Sequence, residues 1–98
     1  MDIKEKNLLD LGFVNRMSDL PRELPITNRE KEILIHLAQG KTNKEISQLL
    51  VLSTSTVRNH ISSIFIKLRI SNRSQATAIA IYAGLLNSKA MEEEMKTS

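Results

Sequence analysis

Apolar residues recur along most of this chain at three- and four-residue intervals, the spacing that lines one face of a helix. The pattern is clearest at Val57, Ile61, Ile64, Phe65 and Leu68, whose offsets of 4, 7, 8 and 11 put all five on a single stripe. That stripe must face a core. Partners are supplied by Ile33, Leu34, Leu37 and Ala38 upstream and by Ile46, Leu49 and Leu50 between, while Ala76, Ile79, Ala80 and Ala83 make a further stripe downstream. No alternating strand pattern, internal repeat or low-complexity linker is present.

The residues between the stripes predict where each helix starts and stops. "TNRE" sets Thr27 three residues before Glu30, and "TNKE" repeats the arrangement with Thr42 and Glu45. Each is a capping box, in which hydroxyl and carboxylate satisfy backbone donors reciprocally. Gly40 stands where a left-handed helix-ending residue is wanted. Helices are therefore predicted over about 28–39 and 43–50, then, after a tight turn at "VLS" and a cap at Ser53, over about 54–68. "SNRSQ" opens a fourth at Ser71 or Asn72, ending near Gly84. The expected fold is all-α, a four-helix bundle containing a helix-turn-helix, spanning residues 26–86.

Residues 1–25 form an extra N-terminal segment. Leu8, Leu9, Leu11, Phe13, Val14, Met17 and Leu20 are too many apolar residues for a free tail, yet Gly12, Pro21 and Pro25 interrupt any long helix. Two readings stay open: a short helix and extended arm packed on the bundle, or the linker of a response regulator whose receiver domain lies outside these residues. Residues 87–98 read as a charged, frayed tail.

The face of the third helix opposite its core stripe is built from unusual material. Six of the eleven residues from Ser53 to Ser63 are Ser or Thr, which favour caps and turns over helix interiors. At about 100° per residue, Ser55, Asn59, Ser62 and Ile66 lie opposite the core, flanked by Arg58 and Ser63. Short hydrogen-bonding side chains suit a helix that must approach base edges in a major groove, where bulk would obstruct and acid would repel. Ser and Thr near the helix start also suit phosphate, beside free backbone N–H groups.

Charge distribution sharpens this picture more than the net charge of +3. Residues 1–45 carry eight acids and eight bases, whereas residues 46–91 carry no acid against Arg58, Lys67, Arg69, Arg73 and Lys89. A one-signed field suits a polyanion. With 98 residues the chain forms one small domain with little room for an enclosed active site. It has no cysteine, no apolar run near the roughly 20 residues of a membrane span and no signal-peptide core, so a cytoplasmic location without membrane association is expected. Glu30 and Glu45 belong to capping boxes, and His36 and His60 have no metal-ligand constellation around them; no catalytic residue, metal or cofactor is expected.

The stretch "ITNREKEILIHLAQGKTNKEISQLLVLSTSTVRNHISSIFIKLRISNRSQA", residues 26–76, resembles the DNA-binding domain of the LuxR/FixJ class of bacterial transcription regulators. The resemblance rests on Thr27, Arg29 and Glu30; Gly40; Asn43, Glu45 and Ile46; Ser53, Thr56, Val57 and His60; Lys67 and Leu68; and Asn72, Arg73 and Ala76. It implies four helices, the third for recognition and the fourth for dimer contact, in a sequence-specific transcription regulator. It puts Arg58, Asn59 and Ser62 where family members often touch DNA. Arg58 stands where Lys is usual, and its fork can grip guanine or phosphate. Arg69 departs from the small or turn-forming residue common there, adding a candidate phosphate contact. The DNA-binding set is then Asn43, Lys44, Ser53, Thr54, Ser55, Thr56, Arg58, Asn59, His60, Ser62 and Lys67. Lys67 is expected on phosphate, His60 either there or packed, and Arg73 either on phosphate or tying the fourth helix to the bundle.

A second apolar face on the fourth helix, Ala78, Ile81, Tyr82 and Leu85, needs its own partner. A homodimer through it would set two recognition helices about one DNA turn apart on a pseudo-palindromic operator of double-stranded DNA; residues 1–24 folding back would be the alternative. RNA polymerase is a further candidate partner. A sigma-factor fourth-region domain has a similar helix-turn-helix, but "SNRSQA" argues against it. A protein-interaction module sequestering another regulator remains the alternative function.

Overall fold

The computed structural model describes residues 11–21 and 23–86. Among them are five helices and no strand: α1 (Leu11–Ser18), α2 (Asn28–Ala38), α3 (Asn43–Leu50), α4 (Thr54–Leu68) and α5 (Arg73–Tyr82). The four expected helices stand within two residues of their predicted ends, and α1 adds a fifth in the N-terminal segment. The predicted tail, 87–98, lies outside the described residues.

Local chemistry sets the helix ends. Thr27 and Thr42 each accept from the backbone N–H three residues on (3.1 Å), while the carboxylates of Glu30 and Glu45 accept from the threonine N–H at 2.8 Å. Ser53 and Asn72 cap α4 and α5 by accepting from the N–H groups of Thr56 and Gln75. At the C-terminal end of α2, Gly40 (φ +86°) donates to Leu37 and Lys41 donates to His36. This closure needs a left-handed residue. A Cβ on Gly40 would meet nothing within 4 Å, so backbone angle and not space favours glycine there. The same closure recurs after α3, with Val51 left-handed (φ 55°), and after α4, with Arg69 (φ 57°).

The core lies where α2 crosses α4 and α5 and where α3 meets α4. Ile33, Leu34, Ile46, Val57, Ile64 and Ile79 are fully buried in it. The predicted stripes hold, with one correction. Leu49, assigned to the core, is 55% exposed, and Ser47 is buried in its place. A helix of eight residues meets its neighbour along a narrow strip, and that strip runs along Ile46, Ser47 and Leu50. The hydroxyl of Ser47 donates to the Lys44 carbonyl at 2.7 Å, so its burial leaves no unmet donor.

Within the N-terminal segment, the described residues pack on the bundle. Phe13 and Leu24 are each 5% exposed and join the core, with Met17 and Leu20 packed against it.

Candidate nucleic-acid interface

Burial of Val57, Ile64 and Leu68 turns the opposite side of α4 outward. Ser55, Arg58, Asn59 and Ser62 are exposed there, in line with Ile66, which is 76% exposed. Among the described residues Arg58, Asn59 and Ser62 donate no side-chain hydrogen bond within the chain, so their polar atoms are free for a ligand. At the helix start Ser53 is bonded to the hydroxyl of Thr56 at 2.8 Å and lies 3.2 Å from that of Ser55. Ser53 and Thr54 are exposed and Thr56 is half-buried. Lys44 is exposed and Asn43 half-buried at the start of α3. His60 is half-buried.

One flank of α4 is occupied by an interaction that sequence patterns did not disclose. Glu30, 4% exposed, accepts from Thr27 N at 2.8 Å, Ser63 Oγ at 2.8 Å and Lys67 Nζ at 2.9 and 3.1 Å. Burial pushes its carboxyl pKa upward, but the Thr27 N–H, the Lys67 ammonium and the Ser63 hydroxyl outweigh that and hold it at about 2. The carboxylate thus completes the cap of α2 and clasps α4 at two positions one turn apart. Lys67, expected on phosphate, is placed differently: its ammonium is engaged by Glu30, and only 40% of its side chain is exposed. Ser63, expected beside the outer face, turns to the same carboxylate. Exposed Glu45 is also lowered, chiefly by the Thr42 N–H.

Arg73 donates to the Leu37 carbonyl at 3.3 Å, tying α5 to the end of α2. The second face of α5 is narrower than expected. Ile81 and Tyr82 are 62% and 54% exposed, but Ala78 and Leu85 pack against the chain's own core. The reason lies at the helix end, where Gly84 (φ +76°) reverses the chain and Leu85 donates back to Ala80. The arm reaches the edge of this face, since Leu20, Pro21 and Leu24 line a groove with Tyr82, Ala83 and Gly84. Among the described residues no group of acidic and histidine side chains is placed to hold a metal, and no helix is long and apolar enough to cross a membrane.

A short helix, a tight turn and a longer helix with a polar, acid-free outer face define a helix-turn-helix domain of the DNA-binding class. The family model for bacterial regulatory proteins of the luxR family matches residues 24–80, and the chain belongs to that family of DNA-binding transcription regulators. Similar proteins include the transcriptional regulatory protein LiaR of Bacillus subtilis, 47% identical over 69% of this chain and 32% of that protein. The transcriptional regulatory protein DesR of the same organism is 51% identical over 61% of this chain and 31% of that protein. The spore germination protein GerE, also from Bacillus subtilis, is 46% identical over 62% of this chain and 82% of that protein. The chain spans about a third of the length of LiaR and DesR.

Proposed function

We propose that residues 26–86 are the DNA-reading unit of a cytoplasmic, non-enzymatic regulator, with α4 in the major groove. The observation that carries this is the exposed row of unpaired Arg58, Asn59 and Ser62 on the face opposite the buried stripe. Asn59 matches the paired donor and acceptor of adenine, and Arg58 matches guanine or phosphate. Ser53, Thr54, Ser55 and Thr56 at the start of α4, with Asn43 and Lys44 at the start of α3, fit phosphates on either side. His60 and the remaining donor of Lys67 border the same surface.

Selection of bound sequences from a random duplex pool tests this directly and reveals any half-site symmetry. Against the recovered sequence, Asn59→Ala is expected to relax preference at one base pair per half-site, by roughly 1–3 kcal/mol of discrimination. Arg58→Ala does likewise or, if Arg58 grips phosphate, weakens all duplexes alike. Titration of matched and mismatched duplexes separates these outcomes. Binding by both variants indistinguishable from the parent on every duplex would remove α4 from the reading role and favour a protein-interaction module.

A homodimer through Ile81 and Tyr82 follows from their exposure on an apolar helix end. Tyr82→Glu is expected to weaken cooperative binding to a two-half-site duplex while circular dichroism stays unchanged. Ultracentrifugation reads the assembly itself. A folded Tyr82→Glu variant with unaltered assembly and affinity would take this face out of the proposal. Such a dimer on a promoter would bring RNA polymerase within reach as a further partner.

A further inference from the structure

We propose that Arg69 is a phosphate contact at the rim of the α4 reading face and that Arg16, on α1, is the positioning residue that holds it there. This rests on α4 being the recognition helix.

The family match begins at residue 24, so α1 lies outside the matched stretch. Phe13, Met17 and Leu20 seat it against Leu68 at the end of α4 and Ile79 on α5. From this seat the Arg16 guanidinium donates to the backbone carbonyl of Arg69 at 3.2 Å. That carbonyl lies at the C-terminal end of α4, where carbonyls lack helical partners and the helix dipole favours a cation. Arg69 itself is left-handed (φ 57°, ψ 48°), a conformation that residues with a side chain adopt reluctantly. A bond to its carbonyl fixes the orientation of that peptide, and with it the direction in which the side chain leaves the turn.

The Arg69 side chain is exposed and donates no hydrogen bond within the described residues. It follows the last residue of α4, and its N–H donates at 3.2 Å to the carbonyl of Ile66, the outermost of the outward-facing residues. Arg69 therefore stands at the end of the reading face, beside Ile66, within reach of a duplex backbone that passes the C-terminal end of α4. The groove between arm and α4 is lined by Arg16, Lys67, Arg69 and Asp19; with Lys67 paired to Glu30, the two arginines against Asp19 leave the rim net positive. Packing alone does not call for arginine at position 16. Its Nε is buried without a hydrogen-bond partner among the described residues, a desolvation cost that leucine among the same apolar neighbours would avoid. What leucine lacks is the donor to Arg69.

The test is a double-mutant cycle on the full chain, titrated with matched and mismatched duplexes at several salt concentrations. Arg16→Met and Arg69→Ala are each expected to weaken all duplexes about fivefold and to make the salt slope shallower by about 0.9, as one neutralised phosphate is lost. The double variant is expected to bind no more weakly than Arg69→Ala alone, because Arg16 acts through Arg69. An Arg16→Met variant that binds like the parent overturns the proposal. So does a weakening that persists undiminished in the Arg69→Ala background. If circular dichroism shows Arg16→Met unfolded, Arg16→Leu enters the same cycle. Failure of the recognition-helix reading would be seen separately, as unaltered binding by Asn59→Ala and Arg58→Ala.

Discussion

Glu30→Ala is expected to lower the unfolding free energy by about 1.5–3 kcal/mol, the range for losing hydrogen bonds to a charged group, because the Lys67 ammonium left behind can reach water. Glu30 is 4% exposed and holds Thr27, Ser63 and Lys67 together. Its removal leaves the Thr27 N–H and the Ser63 hydroxyl without their acceptor, while the Thr27 hydroxyl still caps α2 through the backbone N–H of residue 30. In a domain whose total stability is about 5–15 kcal/mol, that is a large fraction. Urea unfolding followed by circular dichroism measures it; a loss no greater than that of an exposed cap would sink the claim that the clasp holds α4. The same group makes a pH prediction. Its carboxyl is lowered from 4.5 to about 2 on folding. The unfolded chain therefore takes up this proton first, so the contribution is present in full above about pH 4.5 and is lost as pH falls toward 2. The difference in stability between parent and Glu30→Ala should accordingly shrink between pH 5 and pH 2.5.

Ile64→Ala should cost about 2–5 kcal/mol, whereas Ile66→Ala should change stability by no more than about 0.5 kcal/mol. The two residues are the same type, two positions apart on one helix, but Ile64 is fully buried and Ile66 is 76% exposed. Truncating Ile64 leaves a cavity where α4 meets its neighbours; truncating Ile66 removes contacts with water, and alanine has the better helix propensity. Equal effects in urea unfolding would mean that the orientation of α4 is wrong, and the outward placement of Arg58 and Asn59 would fall with it.

That contrast was legible from spacing alone, because helical periodicity assigns each residue of α4 a face once the helix is granted. The caps were equally legible, since Thr27 with Glu30 and Thr42 with Glu45 interact across three residues. Leu49 shows where periodicity misleads: in α3, hydrophobicity marked Leu49, but the line of contact ran through Ser47. A pattern gives the stripe of one helix, not the direction from which its neighbour approaches. The second face of α5 is narrowed in the same way, since the reversal at Gly84 folds Leu85 back toward its own core while Ile81 and Tyr82 stay exposed.

By itself, then, the sequence determined the helices, their ends, the outward row on α4 and the family. The helices, their ends and the outward row depend on the regular geometry within single helices, where the backbone fixes the distance, and the family on residue types at fixed spacings. The tertiary structure alone decided the joining of Glu30 to Ser63 and Lys67, 33 and 37 residues on, and of Arg16 to the carbonyl of Arg69, 53 residues on. At such separations only the packing of whole helices sets the distance. The pairing of Lys67 with a buried carboxylate carries no sequence signal of its own, and only the side of α4 that α2 occupies reveals it.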